Sequence, residues 1–240
     1  MRNISVCPST DLFSYYDENN EMLVVVVDIL RATTVISTAF EYGVKSIIPV
    51  ISLEEAKKYL NLEGFIVAAE RNAEPIEGIP YGNSPFQYMN DNIKGKTLVL
   101  TTTNGTKSIN ISKSHEVITA SFINYNSIEK YIRSSDKDVV ILCAGWKGLP
   151  NLEDSIFAGY LCSDLLKSNK FTTNCDSLRG SIAISKDVKC SLYEYLKNSA
   201  HRKRLKHLNM EEDTKFCLAP SITSKIVPVY CNGKLEPKSR

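Results

Sequence analysis

The feature that most constrains the fold is a run of four valines, Val24–Val27, that ends at Asp28. A continuous apolar run of this length is typical of a strand buried on both faces of a sheet. Similar short runs alternate with helical patterns along the chain, which predicts a layered α/β/α fold with a mainly parallel or mixed sheet. Residues from about 174 to 217 are predicted to be mostly helical, before a final strand near 225–230.

Bulk properties limit the classes of function. The 240 residues suit a single α/β domain spanning 1–240, with two closely packed subdomains as the alternative. A net charge of +2 is too small to indicate binding of nucleic acid or membrane, and no apolar stretch is long enough to span a bilayer. The seven cysteines include no CxxC pair, so we expect reduced thiols and a cytoplasmic location.

The loop after the valine run carries candidate binding groups, because ligands of such sheets bind beyond the carboxyl ends of the strands. Asp28 can ligate a hard cation such as Mg²⁺, and Arg31 can hold a phosphate or carboxylate through two parallel hydrogen bonds. Thr33 and Thr34 can cap the next helix or contact an anion. The alternative is a buried Asp28–Arg31 ion pair beside a threonine cap.

A second strand ends in the segment TTTNGTKS, residues 101–108. Thr102, Thr103 and Thr106 offer hydroxyl groups there. Asn104 and Gly105 can adopt positive φ, which turns backbone N–H groups toward an anion at the start of a helix. An ordinary strand-to-helix turn with a threonine cap is the alternative.

Two further strand ends carry charged residues or a thiol. Glu70 and Arg71 follow one strand, and Cys143 follows another, before Glu153 and Asp154 at a helix start. The two acidic residues either bind metal or complement the helix dipole. Cys143 has no nearby histidine to activate it as a nucleophile.

Patterns of several known phosphate-binding and phosphatase sites are missing. The sequence contains neither GxxxxGK[ST] nor GxGxxG. A cysteine phosphatase needs arginine six positions after Cys143, where Leu149 stands. The basic segment HRKRLKH, residues 201–207, is interpreted as a solvated or substrate-edge helix rather than an RNA-binding one.

Five segments occur in an order that resembles a known family. They are VVVDILRATT, AAERNAEPIEGIPYGNSP, TTTNGTKSI, CAGWKGLPNLEDSIFAG and EEDTKFCLAPSITSKIVPV. Together they resemble the magnesium-dependent 2-phosphosulfolactate phosphatases of coenzyme M biosynthesis, over residues 24–229. One departure is that Ile79 and Pro80 occupy positions where the family often has an aromatic residue and an aspartate.

The resemblance implies hydrolysis of a small anionic phosphomonoester, with 3-sulfolactate and phosphate as products and Mg²⁺ as cofactor. Nucleic acid and membrane are not expected as partners, and a homo-oligomer is left open. Combined with the strand ends, the resemblance predicts catalytic residues Asp28, Arg31 and Asn104; anion-binding residues Thr33, Thr34, Arg71, Asn83, Ser84, Thr102, Thr103, Gly105, Thr106 and Lys147; and metal ligands Asp28, Glu70, Glu153 and Asp154.

Two other functions stay open at this stage. The first is a phosphatase with the same fold and type of site that acts on another small phosphorylated hydroxy acid. Proteins that share a fold and a type of site can act on different substrates. The second is a non-catalytic anion-binding module, which the presence of the acidic residues disfavours.

Overall fold

The computed structural model describes residues 1–17 and 21–239. In this part of the chain one sheet contains the strands β1 (Arg2–Cys7), β2 (Leu23–Val27), β3 (Ser46–Pro49), β4 (Phe65–Arg71), β5 (Glu74–Pro75), β6 (Thr97–Thr101), β7 (Glu116–Ala120), β8 (Val139–Cys143), β9 (Phe171–Thr172), β10 (Ile226–Cys231) and β11 (Lys234–Ser239).

The α-helices are α1 (Ala32–Glu41), α2 (Leu53–Lys57), α3 (Gly105–Ile111), α4 (Tyr125–Ser134), α5 (Leu152–Leu166), α6 (Asp176–Asp187), α7 (Leu192–Tyr195), α8 (Ala200–His207) and α9 (Glu211–Leu218). Short 3-10 helices span Thr10–Tyr15, Pro85–Tyr88, Asp91–Ile93 and Leu196–Asn198. None of these helices has the length and apolar character needed to cross a membrane, as far as the described residues go.

Strand β2 is buried on both faces, as its sequence predicts. Val24 and Val26 belong to a core that also contains apolar residues of α1 and α3. Val25 and Val27 belong to a second core, on the opposite face, that contains residues of α4, α5 and α6. Alternate side chains of a strand point to opposite faces, so helices cover both sides of the sheet. The predicted layered α/β/α fold is confirmed.

The sheet consists of two parallel blocks joined by an antiparallel hairpin. Its order is β5-β4-β6-β3-β11-β10-β7-β2-β8-β1-β9. Strands β4, β6 and β3 run parallel, as do β7, β2, β8, β1 and β9. The hairpin β10–β11 pairs with each block through one residue pair, Val229 with Ile118 and Leu235 with Ile47.

Local sequence signals identified most elements, but four strands were missed, two of which have only two residues. Gly43 ends α1 with φ of 94°, and the Ser52 hydroxyl accepts a hydrogen bond from the Glu55 amide at 3.0 Å, as a cap of α2. The segment predicted to be helical contains α6 to α9. Strands β1, β5, β9 and β11 were not predicted. In β11, Leu235 is the one apolar side chain, so its strand character comes from pairing with β10 and β3.

Candidate active site

A small cavity of about 20 Å³, partly open to solvent, lies where the carboxyl ends of β2, β4 and β6 meet loops from elsewhere in the chain. Each strand contributes at its carboxyl end, where α/β sheets bind ligands, although β2 runs in the opposite direction to β4 and β6. The residues that line it are Asp28, Leu30, Arg31, Glu70, Ala73, Asn83, Thr103, Asn104, Trp146, His201 and Arg204.

The close approach of α3 to β2 requires glycine at position 105. Four strands separate β6 from β2 in the sheet, yet the start of α3 returns to the end of β2. A Cβ atom on Gly105 would lie 2.9 Å from Asp28 Oδ2 and 2.5 Å from the Cβ of Ala32. Because both distances are shorter than a normal contact, glycine is the residue that lets the TTTNGT loop meet Asp28.

Asp28 is the first residue after β2, and 6% of its surface is exposed. Burial raises the pKa of its carboxyl group to about 6, the nearby His201 opposes this rise, and the negative charge of Glu70 adds to it. The cavity therefore holds a carboxylate whose negative charge is poorly solvated.

Glu70 joins two loops that line the cavity. Its Oε1 accepts a hydrogen bond from the Thr103 amide at 2.8 Å, and its Oε2 accepts one from the Ala73 amide. Both carboxylate oxygens are thus bound to main-chain groups, one after β6 and one after β4. Glu70 therefore positions these two loops.

Asp154 lies at the start of α5 and is fully buried. Its Oδ1 accepts from the Ile29 amide at 2.9 Å, and its Oδ2 accepts from Asn151 Nδ2 at 2.8 Å and from the Gly145 amide at 3.3 Å. Burial and then the charge of Asp28 raise the pKa of Asp154 well above its usual value. The hydrogen bonds make Asp154 a brace between the ends of β2 and β8.

Glu153 and His201 form a buried pair at one wall of the cavity. The Nδ1 of His201 contacts Oε1 of Glu153, and the side chains are 5% and 0% exposed. His201 Nε2 and Glu153 Oε2 are buried and have no hydrogen-bond partner within the described residues. The carboxylate orients the imidazole, which leaves Nε2 available to a ligand.

Arg31 pairs with a carboxylate of α9 rather than with Asp28. Its Nη1 donates to Asp213 Oδ2, and its Nη2 donates to the Ala73 carbonyl at 3.2 Å. Asp213 Oδ1 in turn accepts from the Ser84 hydroxyl at 2.8 Å. Arginine carries five N–H donors, so this fixed side chain retains others for a ligand.

Four predicted anion-binding threonines have their hydroxyls in main-chain hydrogen bonds and do not line the cavity. Thr33 Oγ1 bonds to the backbone of Asp28, and Thr34 Oγ1 donates to the Ile29 carbonyl at 2.9 Å. The hydroxyls of Thr102 and Thr106 bond to each other's backbone groups. The hydroxyls of these four residues, Thr33, Thr34, Thr102 and Thr106, thus hold each of the two loops together, although none of the four is the N-cap of α1 or α3.

The other predicted residues outside the cavity lining have their own contacts. Arg71 donates to the Glu70 carbonyl at 2.7 Å and to Thr101 Oγ1 at 3.0 Å, which ties β4 to β6. Ser84 holds Asp213, and exposed Lys147 lies 4.9 Å from the ring centroid of Trp146. Thr103, Asn104 and Asn83 are the predicted anion-binding or catalytic residues that do line it, besides Asp28 and Arg31.

Comparison with known proteins decides the family. A profile described as 2-phosphosulpholactate phosphatase matches residues 10–233, nearly the whole chain. The chain belongs to the 2-phosphosulpholactate phosphatase family. It is an enzyme, a hydrolase of phosphoric monoesters.

Similar proteins share this length and carry matching names. A probable 2-phosphosulfolactate phosphatase of Caldanaerobacter subterraneus subsp. tengcongensis is 39% identical over 217 residues, which cover 89% of each chain. One of Thermotoga petrophila is 40% identical over 209 residues, covering 87% of this chain and 89% of its own. One of Clostridium perfringens strain SM101 is 35% identical over 220 residues, covering 89% of this chain and 88% of its own.

Sequence reasoning missed three prominent side chains of this phosphatase cavity: Trp146, His201 and Arg204. Trp146 stands in the glycine-rich turn after β8, and the other two come from α8. The only sequence signal was the basic segment interpreted as a substrate-edge helix. Ile79 and Pro80, the departure from the family pattern, are absent from the cavity lining.

The predicted magnesium ligands differ in the free oxygen atoms that they can offer to a cation. The described residues contain no group of three or more histidine, cysteine, aspartate and glutamate side chains arranged around a metal position. Mg²⁺, however, is usually held by one or two protein oxygens together with substrate phosphate and water. Asp28 and the buried, unpartnered Oδ1 of Asn83 line the same cavity and fit this mode. Glu70 and Asp154 have both oxygens engaged, and Glu153 contacts His201.

Proposed function

We propose that this phosphatase hydrolyses 2-phosphosulfolactate to 3-sulfolactate and phosphate, the reaction type of coenzyme M biosynthesis, and that it requires Mg²⁺. The observation that carries the proposal is one cavity that combines two arginines, Arg31 and Arg204, with oxygen ligands from Asp28 and Asn83. The substrate carries a phosphate, a carboxylate and a sulfonate. Such an ester needs cationic donors for its oxygens and a cation to neutralise the phosphoryl group.

In this proposal Asp28 and Asn83 are the residues that hold Mg²⁺. The bound cation supplies charge neutralisation for the phosphoryl oxygens. Burial raises the pKa of Asp28, and the negative charges of Glu70 and Glu153 add to this rise. A cation at Asp28 would offset these negative charges.

The chain's own residues then bind and orient the ester. Arg31, held by Asp213, offers its remaining donors to the phosphoryl oxygens. Thr103 and Asn104 line the same cavity, and the hydrogen bond from the Thr103 amide to Glu70 sets the position of their loop. His201, with Nδ1 on Glu153, can give a proton from Nε2 to the oxygen of the departing hydroxy acid.

The test is phosphate release from 2-phosphosulfolactate with Mg²⁺ and with a chelator. We expect release that depends on Mg²⁺, and loss of most turnover in Asp28→Asn with an unchanged circular dichroism spectrum. Asp11→Asn is the control, because Asp11 is an exposed carboxylate paired with Lys107 away from the cavity lining. Equal release in the presence of a chelator would contradict the metal requirement, and full activity of Asp28→Asn would remove Asp28 from the site.

The alternative substrate class is another phosphorylated 2-hydroxy acid, since the cavity residues recognise anionic oxygens in general. A panel of small phosphomonoesters assayed under the same conditions separates the two. A higher kcat/KM for a different ester than for 2-phosphosulfolactate would assign the enzyme to that ester.

A further inference from the structure

Arg204, in α8, lines the cavity. Two nitrogens of its guanidinium group have no hydrogen-bond partner among the described residues. Its Nε and Nη1 are buried and make no hydrogen bond within the described residues. Arg31, in contrast, is held by Asp213 and by the Ala73 carbonyl. A buried donor without an acceptor is costly, so Arg204 is placed to receive an acceptor from outside the chain.

Trp146 fixes the orientation of Arg204. The guanidinium carbon lies 4.5 Å from the centroid of the Trp146 ring, within the range of a cation–π contact. The tryptophan is itself held in a tight turn, in which its amide donates to the Leu149 carbonyl at 2.8 Å and its carbonyl accepts from the Leu149 amide at 3.0 Å. Stacking occupies the face of the guanidinium and leaves the in-plane N–H donors free.

Trp146 adds another hydrogen-bond donor to those of Arg204. The indole Nε1 of Trp146 is buried and has no hydrogen-bond partner in the described part of the chain. The carboxylates of Glu70 and Asp28 act on Arg204 through their charge, but none of the described residues forms an ion pair with it. The cluster thus presents only donors, on elements distinct from the Arg31 and Asn104 loops.

We propose that Arg204, stacked on Trp146, binds one of the two anionic groups of the substrate that are not transferred, its carboxylate or its sulfonate, and thereby selects phosphomonoesters that carry such a group. The planar fork of a guanidinium matches the oxygens of a carboxylate or a sulfonate. This assignment rests on the proposed phosphatase function and adds the residue that determines its substrate class.

The test compares Arg204→Gln with the wild type on three esters of secondary alcohols. They are 2-phosphosulfolactate, with a carboxylate and a sulfonate; 2-phospholactate, with a carboxylate only; and glycerol 2-phosphate, with neither. We expect kcat/KM for 2-phosphosulfolactate to fall about 10- to 100-fold, as for loss of a charged hydrogen bond, and that for glycerol 2-phosphate to change less than about threefold. Lys203→Gln is the matched control, since it removes one charge from the exposed face of the same helix.

The result with 2-phospholactate shows whether Arg204 binds the carboxylate or the sulfonate. A large loss on this ester assigns Arg204 to the carboxylate, and a loss confined to 2-phosphosulfolactate assigns it to the sulfonate. Proportional losses on all three esters would overturn the inference, because Arg204 would then act on the phosphoryl group or on folding. A wild-type enzyme that hydrolyses none of the three would refute the proposed function instead.

A binding measurement keeps the inference testable without turnover. 3-Sulfolactate carries both anions that are not transferred, and inorganic phosphate carries neither. Arg204→Gln, or Arg204→Ala if the glutamine variant unfolds, should weaken binding of 3-sulfolactate about tenfold or more and leave binding of inorganic phosphate unchanged. Equal weakening of both ligands, or of phosphate alone, would contradict the assignment.

Discussion

Arg31 and Asp213 form a buried ion pair between the loop after β2 and helix α9, across 182 positions of the chain. Because the side chains are 3% and 11% exposed, removal of the carboxylate leaves a buried guanidinium without its counter-ion. We expect Asp213→Ala to lower the free energy of unfolding by about 3 kcal/mol and to lower kcat, since Arg31 is no longer held.

Urea unfolding and steady-state kinetics measure these two effects. Asp11→Ala provides the control, because it breaks the exposed pair with Lys107, whose side chains are about half exposed. Similar stability of both variants would show that the Arg31–Asp213 pair contributes no more than a surface ion pair.

Gly105→Ala should damage both stability and turnover. The added methyl group would lie 2.5 Å from the Cβ of Ala32 and 2.9 Å from Asp28 Oδ2, so α3 or Asp28 must shift. We expect a loss of about 1–3 kcal/mol in unfolding free energy, as for overpacking of a core, and a lower kcat. Gly180→Ala in α6 is the matched change: no atom lies within 4 Å of its added Cβ, and alanine favours a helix interior. Thermal melts that show Gly180→Ala to be less stable than Gly105→Ala would contradict the close approach of α3 to β2.

His201→Gln should show a defect that depends on the leaving group. If Nε2 of His201 protonates the departing oxygen, kcat for an alkyl ester should fall about 100-fold or more. Hydrolysis of p-nitrophenyl phosphate, whose leaving group departs readily without a proton, should be nearly unchanged. Exposed His207 on the same helix supplies the control variant, His207→Gln. Equal losses on both esters would argue that His201 only supports the fold.

Cys143 should be dispensable for catalysis. The side chain is fully buried among apolar residues and does not line the cavity, and burial raises the pKa of its thiol well above the usual value. Cys143→Ala should therefore retain most of the turnover. Iodoacetamide applied to the native enzyme should alkylate exposed Cys190 and Cys231 and spare Cys143, as peptide mass spectrometry can check. A folded but inactive Cys143→Ala, together with a phosphorylated Cys143 in the native enzyme, would establish a covalent cysteine mechanism instead.

The residues that form the candidate active site could be predicted from the sequence only in part. Asp28, Glu70, Thr103 and Asn104 were found because each lies at or just after the carboxyl end of a strand, where α/β sheets bind ligands. The meeting of the end of β2 with those of β4 and β6 was not predictable, because three antiparallel pairings separate the two blocks and their strands run in opposite directions. The individual roles of the four residues did not follow from their positions. Both oxygens of Glu70 bind main-chain amides in the structure, and no local signal indicates which loops fold back onto a carboxylate.

The sequence by itself determined the layered α/β/α architecture and most helices and strands, because apolar periodicity and capping residues act over a few neighbouring positions. Only the tertiary structure decided that Asp213 rather than Asp28 pairs with Arg31, and that His201 and Arg204 join a cavity built from strand ends far earlier in the chain. These choices depend on how α8 and α9 pack against the sheet. Such contacts between distant residues arise from shape and burial, which periodicity along the chain does not encode.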